Sequence, residues 1–376
     1  MHLAKKIKSS GQKKILALDG GGIRGIITIE ILYKIESELR IREKNPKLVL
    51  SDYFDFVAGT STGALIGACV SMGMSVSEIH SFYEKNGKEM FDRAGRINEY
   101  KNGHKYYDGN LREILQDICG IDTTLNSKKL KTLFLLMMHN MDTDSPWPVS
   151  NNPYAKYNNL EKRGKNSNLH LPLWQLLRAS TAAPTFFLPE NIDIGGKIYS
   201  FMDGAITPYN NPSFQAYLMS TLKAYNLNWE KGEKNLLLVS VGTGNPDNKR
   251  SEDSILDALG IVKHAKNVPT TLLNSIAYQQ DMLCRIFGKC LVGDSLDSEI
   301  GDLKGANGSG CTDENLFTYL RYNVNLNRET FNTLNLQHID PKDVSPLDAV
   351  HRIDLLKEVG EAVAKNKVYI DDFSGF

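Results

Sequence analysis

The sequence has no surplus of charge of either sign. Its 376 residues include 44 lysines and arginines against 44 aspartates and glutamates, so the formal net charge is zero. A protein that binds nucleic acid polymers through counterion release normally carries a basic surplus. The composition therefore argues against a nucleic-acid-binding function. Apolar residues at 41% and charged residues at 23% are typical of a packed globular protein and exclude extensive disorder.

The sequence also lacks a segment suited to secretion or to spanning a membrane. The lysine-rich first fourteen residues are followed by only four apolar residues, 15–18, whereas a signal peptide needs an apolar run of about 7–15. The longest uncharged stretch, 56–77, is long enough to cross a bilayer, but it is rich in glycine, serine and threonine. We interpret it as a buried strand, a tight turn and a helix. These features predict a cytoplasmic protein.

Paired cysteines are absent as well. The five cysteines are odd in number and form no Cys-x-x-Cys pair, which favours buried thiols in a reducing compartment. Cys284, Cys290 and Cys311, together with His264, do not have a spacing typical of a zinc site. We predict neither a bound metal nor a cofactor.

Apolar runs alternate with helical patterns along the chain, which predicts an α/β fold. The predicted strands are 14–18, 54–58, 133–138, 197–202, 235–241 and 317–324. The predicted helices are 23–43, 63–72, 171–180, 254–287 and 345–364. No internal repeat or linker interrupts this order, which favours one elaborated domain.

Two segments are predicted to be long loops. Residues 140–168 contain seven asparagines and three prolines, and residues 293–310 are rich in glycine, serine and aspartate. Loops of this length in compact domains are often functional lids or disordered links.

The first candidate functional motif is Asp-Gly-Gly-Gly-Ile-Arg-Gly at 19–25, between a predicted strand and a helix. Glycines let successive N–H groups point into a cavity, and the start of a helix adds positive potential, so the cluster suits an anion or oxyanion. Gly20, Gly22 and Gly25 also match the dinucleotide-binding pattern G-x-G-x-x-G. That pattern requires an acid about 20 residues further on, which is missing. On the residues alone, an oxyanion site, a dinucleotide site and a structural turn all remain open.

The second cluster is Gly-Thr-Ser-Thr-Gly at 59–63, again between a predicted strand and a helix. G-x-S-x-G in this context is the nucleophile elbow, a strained turn that presents the serine hydroxyl clear of the sheet. Gly59 and Gly63 would relieve the crowding, and the start of the helix would stabilise negative charge. The context predicts Ser61 as a nucleophile, with a simple glycine-containing turn as the alternative.

A serine nucleophile needs a base. None of the eight histidines lies where a predicted strand ends at the carboxyl edge of the sheet, whereas Asp203 does, in Asp203-Gly204. Asp-Gly is also a common turn dipeptide, and only the fold could bring Asp203 to Ser61, 142 positions away. The alternative is a Ser-His-Asp esterase whose base is one of three later histidines. These are His264, His338 and His351.

These motifs, in this order, resemble the patatin-like phospholipase family. They are 19–25, 59–63 and Asp203-Gly204-Ala205, and the stretches 178–187 and 239–244 resemble the family too. The resemblance covers about residues 12–245 and implies a three-layer α/β/α fold with a mostly parallel central sheet. It implies a patatin-like catalytic core at 1–245 and a C-terminal helical extension at 246–376 packed on the same domain. Ala205 departs from the family, which often has a second glycine there.

The resemblance also implies a Ser–Asp dyad, with Ser61 as the nucleophile and Asp203 as the general base. The N–H groups of the oxyanion hole would come from Gly20, Gly21, Gly22 and Thr62. Arg24 would support the glycine loop or meet a lipid phosphate, and Gly59, Gly63 and Gly204 would support the turns. A carboxylate with the usual pKa of about 3.9 is a poor base for a hydroxyl. We therefore expect Asp203 to act through close geometry and exclusion of water.

The implied function is hydrolysis of fatty-acyl esters of membrane phospholipids, with transient contact to the membrane surface. Trp147, Tyr154 and Tyr157 of the 140–168 segment are candidates for an interfacial lid. Some bacterial members of the family are effectors switched on by cyclic nucleotide messengers in antiviral defence. A cyclic dinucleotide activator and a homo-oligomer are therefore among the expected partners, and the basic stretch 263–266 is a candidate regulatory surface.

Overall fold

A computed structural model describes residues 2–90, 106, 108–246, 261–296, 299–304 and 314–376. The strands are β1 (Lys13–Leu18), β2 (Phe56–Thr60), β3 (Leu133–Asn140), β4 (Ser145–Ser150), β5 (Glu190–Asp193), β6 (Ile198–Asp203), β7 (Leu236–Val241), β8 (Asn245–Pro246), β9 (Lys289–Val292), β10 (Thr318–Tyr322) and β11 (Asn325–Leu326). The α-helices are α1 (His2–Lys8), α2 (Gly25–Arg42), α3 (Leu50–Tyr53), α4 (Thr62–Ser71), α5 (Val76–Met90), α6 (Asp108–Cys119), α7 (Leu160–Arg163), α8 (Leu173–Ser180), α9 (Ser213–Thr221), α10 (Ile261–Phe287), α11 (Arg328–Thr333), α12 (Pro341–Val344) and α13 (Ile353–Lys367).

The central sheet is mostly parallel, as the α/β prediction requires. Strands β3, β2, β1, β7, β10 and β9 lie side by side in that order and are parallel to one another. Strands β4 and β6 pair antiparallel with β3, and β5 pairs antiparallel with β6. Parallel strands buried on both faces are expected to be continuous apolar runs. Strand β7 (Leu-Leu-Leu-Val-Ser-Val) is such a run, and every one of its residues is buried.

Helices cover both faces of the sheet, which confirms the three-layer architecture. Side chains alternate along each strand. In β1, Leu16 and Leu18 therefore join the core beneath α2, α4, α5 and α13, whereas Ile15 and Ala17 join the core beneath α1, α9 and α10.

Strands β2 and β6 meet end to end on one edge of β3. Strand β4 pairs with residues 135–140 of β3 along the opposite edge, so β2 and β6 must share the remaining one. Thr60, the last residue of β2, is in register with Met137, and Asp203, the last residue of β6, is in register with Met138. Ser61 and Asp203 are therefore brought together by two strands that run toward each other.

The C-terminal region is helical in part and also extends the sheet. Strands β9 and β10 continue the sheet beyond β7, and α13 packs on α2. The predicted helix 345–364 is wrong at its start, because α13 begins at Ile353 after a short 3₁₀ turn, and residues 345–349 form a loop.

The prediction of a long loop at 140–168 is also wrong. The asparagine-rich and proline-rich composition hid strand β4, which forms a hairpin with β3. Trp147 packs against Tyr199 and Phe201, and Asn158 is buried with its amide donating to the carbonyls of Ser150 and Asn152. This segment is a packed part of the fold.

The uncharged stretch 56–77 forms β2, the following turn and α4, as predicted. No helix in the described part of the chain is both long and apolar enough to cross a membrane.

Cys284 and Cys290 are buried free thiols, while Cys311 and the side chain of His264 lie outside the described residues. No group of three or more potential metal ligands occurs among the residues that the structure describes.

Candidate active site

Ser61 occupies the strained turn that its sequence context predicts. It follows β2 directly and precedes α4, with a φ of 55° and a ψ of −125°. A non-glycine residue rarely adopts this backbone conformation, and the surrounding structure must hold it in place. Its N–H donates to Ser180 Oγ at 3.0 Å. The turn is also tight, because a Cβ on Gly59 would lie 2.2 Å from the carbonyl oxygen of Gly63.

The hydroxyl of Ser61 donates a hydrogen bond to the carboxylate of Asp203, with 2.6 Å between Oγ and Oδ2. The other carboxylate oxygen, Oδ1, accepts the N–H of Ala205 at 2.8 Å and is thereby held in position. Both residues are nearly inaccessible to solvent, with 8% of Ser61 and 2% of Asp203 exposed. The structure thus brings the predicted nucleophile and the predicted base into direct contact.

The pKa of Asp203 differs from the value expected from the sequence. Burial raises its pKa from the usual 3.8 to about 7, although hydrogen bonds from Ser61 and Ala205 and the charge of Arg178 act in the opposite direction. This carboxyl therefore does not have the reference pKa of about 3.9, and it has the close contact with Ser61 and the burial that were expected of it. A pKa of about 7 is well matched to proton transfer at neutral pH.

The glycine loop lies against Ser61, but its N–H groups are not equivalent. The N–H of Gly20 donates to the carbonyl oxygen of Asn210 at 3.1 Å, so Gly20 is not available as an oxyanion donor. This corrects the expectation that all three glycines contribute. In the described part of the chain, the N–H groups of Gly21, Gly22 and Thr62 have no acceptor, and the last of these starts α4.

Contacts from distant parts of the chain fix the glycine loop. Gly22 has a φ of 60°, and a Cβ there would lie 2.2 Å from the carbonyl oxygen of Leu347. The same carbonyl accepts the N–H of Ile23 at 2.9 Å. Asp19 forms a bidentate ion pair with Arg321 of β10, with distances of 2.9 and 2.6 Å. The C-terminal region therefore helps to shape this loop.

Arg24 lies buried beside the glycine loop. Its guanidinium donates to the carbonyl oxygens of Gly21 at 3.4 Å and Ser345 at 3.2 Å, and no carboxylate among the described residues pairs with it. Burial lowers its pKa to about 10, which still leaves it charged at neutral pH. A buried cation with only neutral acceptors can bind an anionic group of a ligand.

The alternative interpretations find no support in this geometry. His338 is largely exposed and contacts Glu358, His351 is exposed, and the ring of His264 lies outside the described residues. Ser61 Oγ donates to a carboxylate, as a Ser–Asp dyad requires and a Ser-His-Asp triad does not. For a dinucleotide site, an acid should end the strand next to β1. Instead β2 ends at Thr60 and leads into Ser61.

A cavity of about 1150 Å³ opens over Ser61 and Asp203. This exceeds the roughly 300–1000 Å³ of a typical small-molecule site. Its walls are mainly apolar and are contributed by Leu65, Met90, Leu111, Phe186, Phe187, Ile206, Leu272, Ile276 and Leu347. The cavity is also lined by Gly20, Gly21, Gly22, Thr62 and Arg24.

No residue of 140–168 lines this cavity, so the lid predicted there is not part of it. The side chains of 263–266 lie outside the described residues.

Several residues around the site were not singled out from the sequence. Ser180 accepts the N–H of Ser61 and donates to the carbonyl oxygen of Met137 at 2.7 Å, which connects the turn to β3. Asn210 lines the cavity, its backbone oxygen holds Gly20, and its buried Oδ1 has no partner among the described residues. The sequence signals for these positions were that Ser180 lies within the 178–187 stretch and that Asn210 follows the Asp203-Gly204 motif.

The chain is similar in sequence to known proteins. A family model described as patatin-like phospholipase matches residues 16–217. Patatin-17 of Solanum cardiophyllum and Patatin-T5 of Solanum tuberosum are each 29% identical over 251 residues, which cover 61% of this chain and 60% of each relative. The chain thus matches about 60% of the length of these relatives. Among solved structures, VipD from Legionella pneumophila is similar at a TM-score of 0.38 and 13% identity, covering 93% of this chain and 67% of that chain.

Proposed function

The chain belongs to the patatin-like phospholipase family, and we propose that it hydrolyses fatty-acyl esters of membrane phospholipids, as a phospholipase or lysophospholipase. The observation that carries the proposal is the hydrogen bond from Ser61 Oγ to Asp203 Oδ2 at 2.6 Å, at the base of a large apolar cavity. The cavity suits a long acyl chain, and the hydroxyl–carboxylate pair suits attack on an ester carbonyl.

In the proposed mechanism, Ser61 Oγ attacks the ester carbonyl while Asp203 accepts its proton. The alcohol leaves with a proton returned from Asp203, and an acyl-enzyme remains. Water then attacks the acyl carbonyl while Asp203 accepts its proton. The bond from the acyl carbon to Ser61 Oγ breaks, Asp203 returns the proton to Oγ, and the fatty acid leaves. With a pKa of about 7, a substantial fraction of Asp203 is ionised at neutral pH. The ionised carboxylate is also basic enough to accept the proton of Ser61.

The tetrahedral intermediate would be stabilised by backbone donors rather than by side chains. Gly21, Gly22 and Thr62 supply N–H groups without acceptors among the described residues, and all three line the cavity with Ser61. Donors held rigidly before the reaction stabilise developing charge without reorganisation, and one such donor contributes about 10²–10³ in rate. The bonds that fix Gly20 and Ile23 would keep this loop rigid.

Arg24 is proposed to bind the phosphate of the lipid. We expect Arg24→Gln to lower kcat/KM for a phospholipid by about 10- to 100-fold more than for a diacylglycerol with the same acyl chains, since a charge-assisted hydrogen bond contributes about 1.5–3 kcal/mol. Release of fatty acid from both lipids in the same detergent micelles measures this difference.

Arg328 provides a matched control for Arg24. It donates to the carbonyl oxygen of Gln337 at the exposed surface, away from the cavity, so Arg328→Gln is expected to change neither rate. Equal losses on both lipids in Arg24→Gln would contradict phosphate binding and assign Arg24 to support of the glycine loop through Gly21 and Ser345.

Regulation by a cyclic dinucleotide is part of the proposal, with the protein acting in the cytoplasm at the membrane surface as an antiviral defence effector. Some bacterial members of this family are messenger-activated, and the C-terminal region of this chain contributes to the site through Leu347 and Arg321, which supports the proposal. A homo-oligomer is a further proposal. Under this proposal residues 1–245 form the catalytic core and 246–376 an extension through which the activator acts.

The test uses the purified chain with phospholipid vesicles and cyclic dinucleotides. We expect the messenger to raise the rate of fatty-acid release by about 5- to 150-fold, the usual range of coupling between two sites. A linear dinucleotide of the same bases serves as the control. Full activity without the messenger would contradict the regulatory part of the proposal, and no hydrolysis under any condition would contradict the function itself.

A further inference from the structure

A second cavity adjoins the catalytic one. It has a volume of about 570 Å³ and lies where β7 and β10 end, and residues that follow these strands, Asn245 and Asn323 among them, line it. Pro246 and Asn274 line both cavities and therefore form the wall between them. In α/β sheets, ligands bind beyond the carboxyl ends of the strands. This cavity occupies that position, two strands away from Ser61.

The charged groups of this cavity are already paired. Arg321 is bound to Asp19 through both carboxylate oxygens. Arg285 is bound to Asp281 in the same way, with distances of 2.9 and 2.7 Å. Asp294, the fourth charged residue of the lining, accepts from Lys367 Nζ at 2.6 Å. The cavity therefore presents no surplus charge, so it does not favour a second phosphate, which needs a cation, or an ammonium group, which needs an unpaired carboxylate or an aromatic cage.

Side-chain amides make up much of the remaining polar lining. Asn245 and Asn325 lie side by side, with 3.3 Å between Nδ2 and Oδ1, and Asn274 is partly exposed with no partner among the described residues. An amide both donates and accepts hydrogen bonds, and so does a hydroxyl.

One buried donor belongs to a residue that lines this cavity, and it lacks an acceptor. Arg321 is 4% exposed, and its Nε–H has no acceptor in the described part of the chain. An unsatisfied buried donor costs about 1–3 kcal/mol, which an acceptor on a bound ligand would recover. Arg321 lines the cavity, so an oxygen of a bound ligand is a suitable partner.

We propose that this polar cavity is a headgroup subsite that binds the hydroxyls of a glycerol or sugar headgroup while the acyl ester of the same lipid lies at Ser61. The proposal rests on the lipid hydrolase function proposed above. The shared wall at Pro246 and Asn274 gives the continuity that one lipid needs to occupy both cavities. The subsite would select hydroxyl-bearing headgroups over choline and ethanolamine.

The test compares phosphatidylglycerol with phosphatidylethanol of the same acyl chains in the same micelles. The two lipids carry the same charge, and the analogue lacks both headgroup hydroxyls and one carbon atom. We expect wild type to cleave phosphatidylglycerol about tenfold faster, because hydrogen bonds to the hydroxyls are lost with the analogue. Asn274→Ala and Asn325→Ala are each expected to lower this ratio to about one to three. Asn366→Ala, an exposed asparagine of α13, is the matched control and should leave the ratio unchanged.

The outcomes separate the subsite from the function. Equal cleavage of both lipids by wild type would overturn the subsite and leave the hydrolase function intact. A tenfold ratio that persists in both variants would also overturn the subsite, since the preference would then arise elsewhere. Cleavage of neither lipid, with or without the cyclic dinucleotide, would overturn the proposed function, and the subsite with it. Two variants on different elements guard against a local folding defect in one of them.

Discussion

Ser61→Ala is expected to abolish the release of fatty acid from phospholipids, lowering kcat by roughly 10⁶-fold, the size of loss that follows removal of a serine nucleophile. The remaining N–H donors and the cavity would supply only residual catalysis. The change removes one oxygen atom from a turn whose conformation is fixed by Ser180 and by the start of α4, so the fold should be retained. Initial rates on a phospholipid and on a soluble short-chain ester measure the loss.

A fluorophosphonate probe gives an independent measurement of the same prediction. Wild type should be labelled at Ser61, and Ser61→Ala should not be labelled at all. Ser77, an exposed serine near the start of α5, provides the matched control, because Ser77→Ala should retain both labelling and rate. Labelling or turnover that survives in Ser61→Ala would identify another nucleophile and contradict the proposed mechanism.

The local half of this site was predictable from sequence because the chemistry of a turn is local. The motif 59–63 between an apolar run and a helical pattern contains all that a nucleophile elbow needs, and Ser61 has the backbone angles of that turn. The apolar runs likewise predicted the central strands, since a strand buried on both faces must be apolar throughout. Strand β4 was missed because it contains two prolines, which an edge strand tolerates but which are not typical of a strand.

The other half depends on contacts that no local pattern contains. Asp203 reaches Ser61 because β6 runs antiparallel and meets β2 end to end on β3, whereas the sequence suggested only that a strand ends there. The pKa of Asp203 depends on how completely the fold excludes water, so the usual pKa of an aspartate does not apply to it. Leu347 and Arg321 join the site from positions far along the chain from the glycine loop.

Asp203→Asn is expected to abolish activity and at the same time to stabilise the protein. An amide cannot accept the proton of Ser61, so the rate should fall at every pH.

In wild type, kcat/KM should rise about tenfold per pH unit below a pKa of about 7 and then level off, because only ionised Asp203 can act as the base. Rates between about pH 5 and 9 measure this profile, and a rate that is already level from about pH 5 upward would contradict it.

The effect on stability follows from the same burial. Asp203 has a pKa of about 7 when folded and the usual 3.8 when unfolded, so between these values the unfolded chain releases a proton that the folded chain retains. Rising pH therefore favours the unfolded state, and the wild type loses roughly 4 kcal/mol of unfolding free energy between about pH 4 and 7. An asparagine side chain at this position does not titrate, so Asp203→Asn should gain up to that amount over wild type at about pH 8, and less at about pH 5.

Urea unfolding at about pH 5 and pH 8 tests this directly, since the prediction concerns a difference that grows with pH. Asp117→Asn, at an exposed position of α6, is the matched control and should change the unfolding free energy by less than about 0.5 kcal/mol at either pH. A gain in Asp203→Asn that is the same at both pH values would reflect packing alone and would contradict the raised pKa. A gain that grows with pH means that Asp203 destabilises the fold at the pH where catalysis needs its charge.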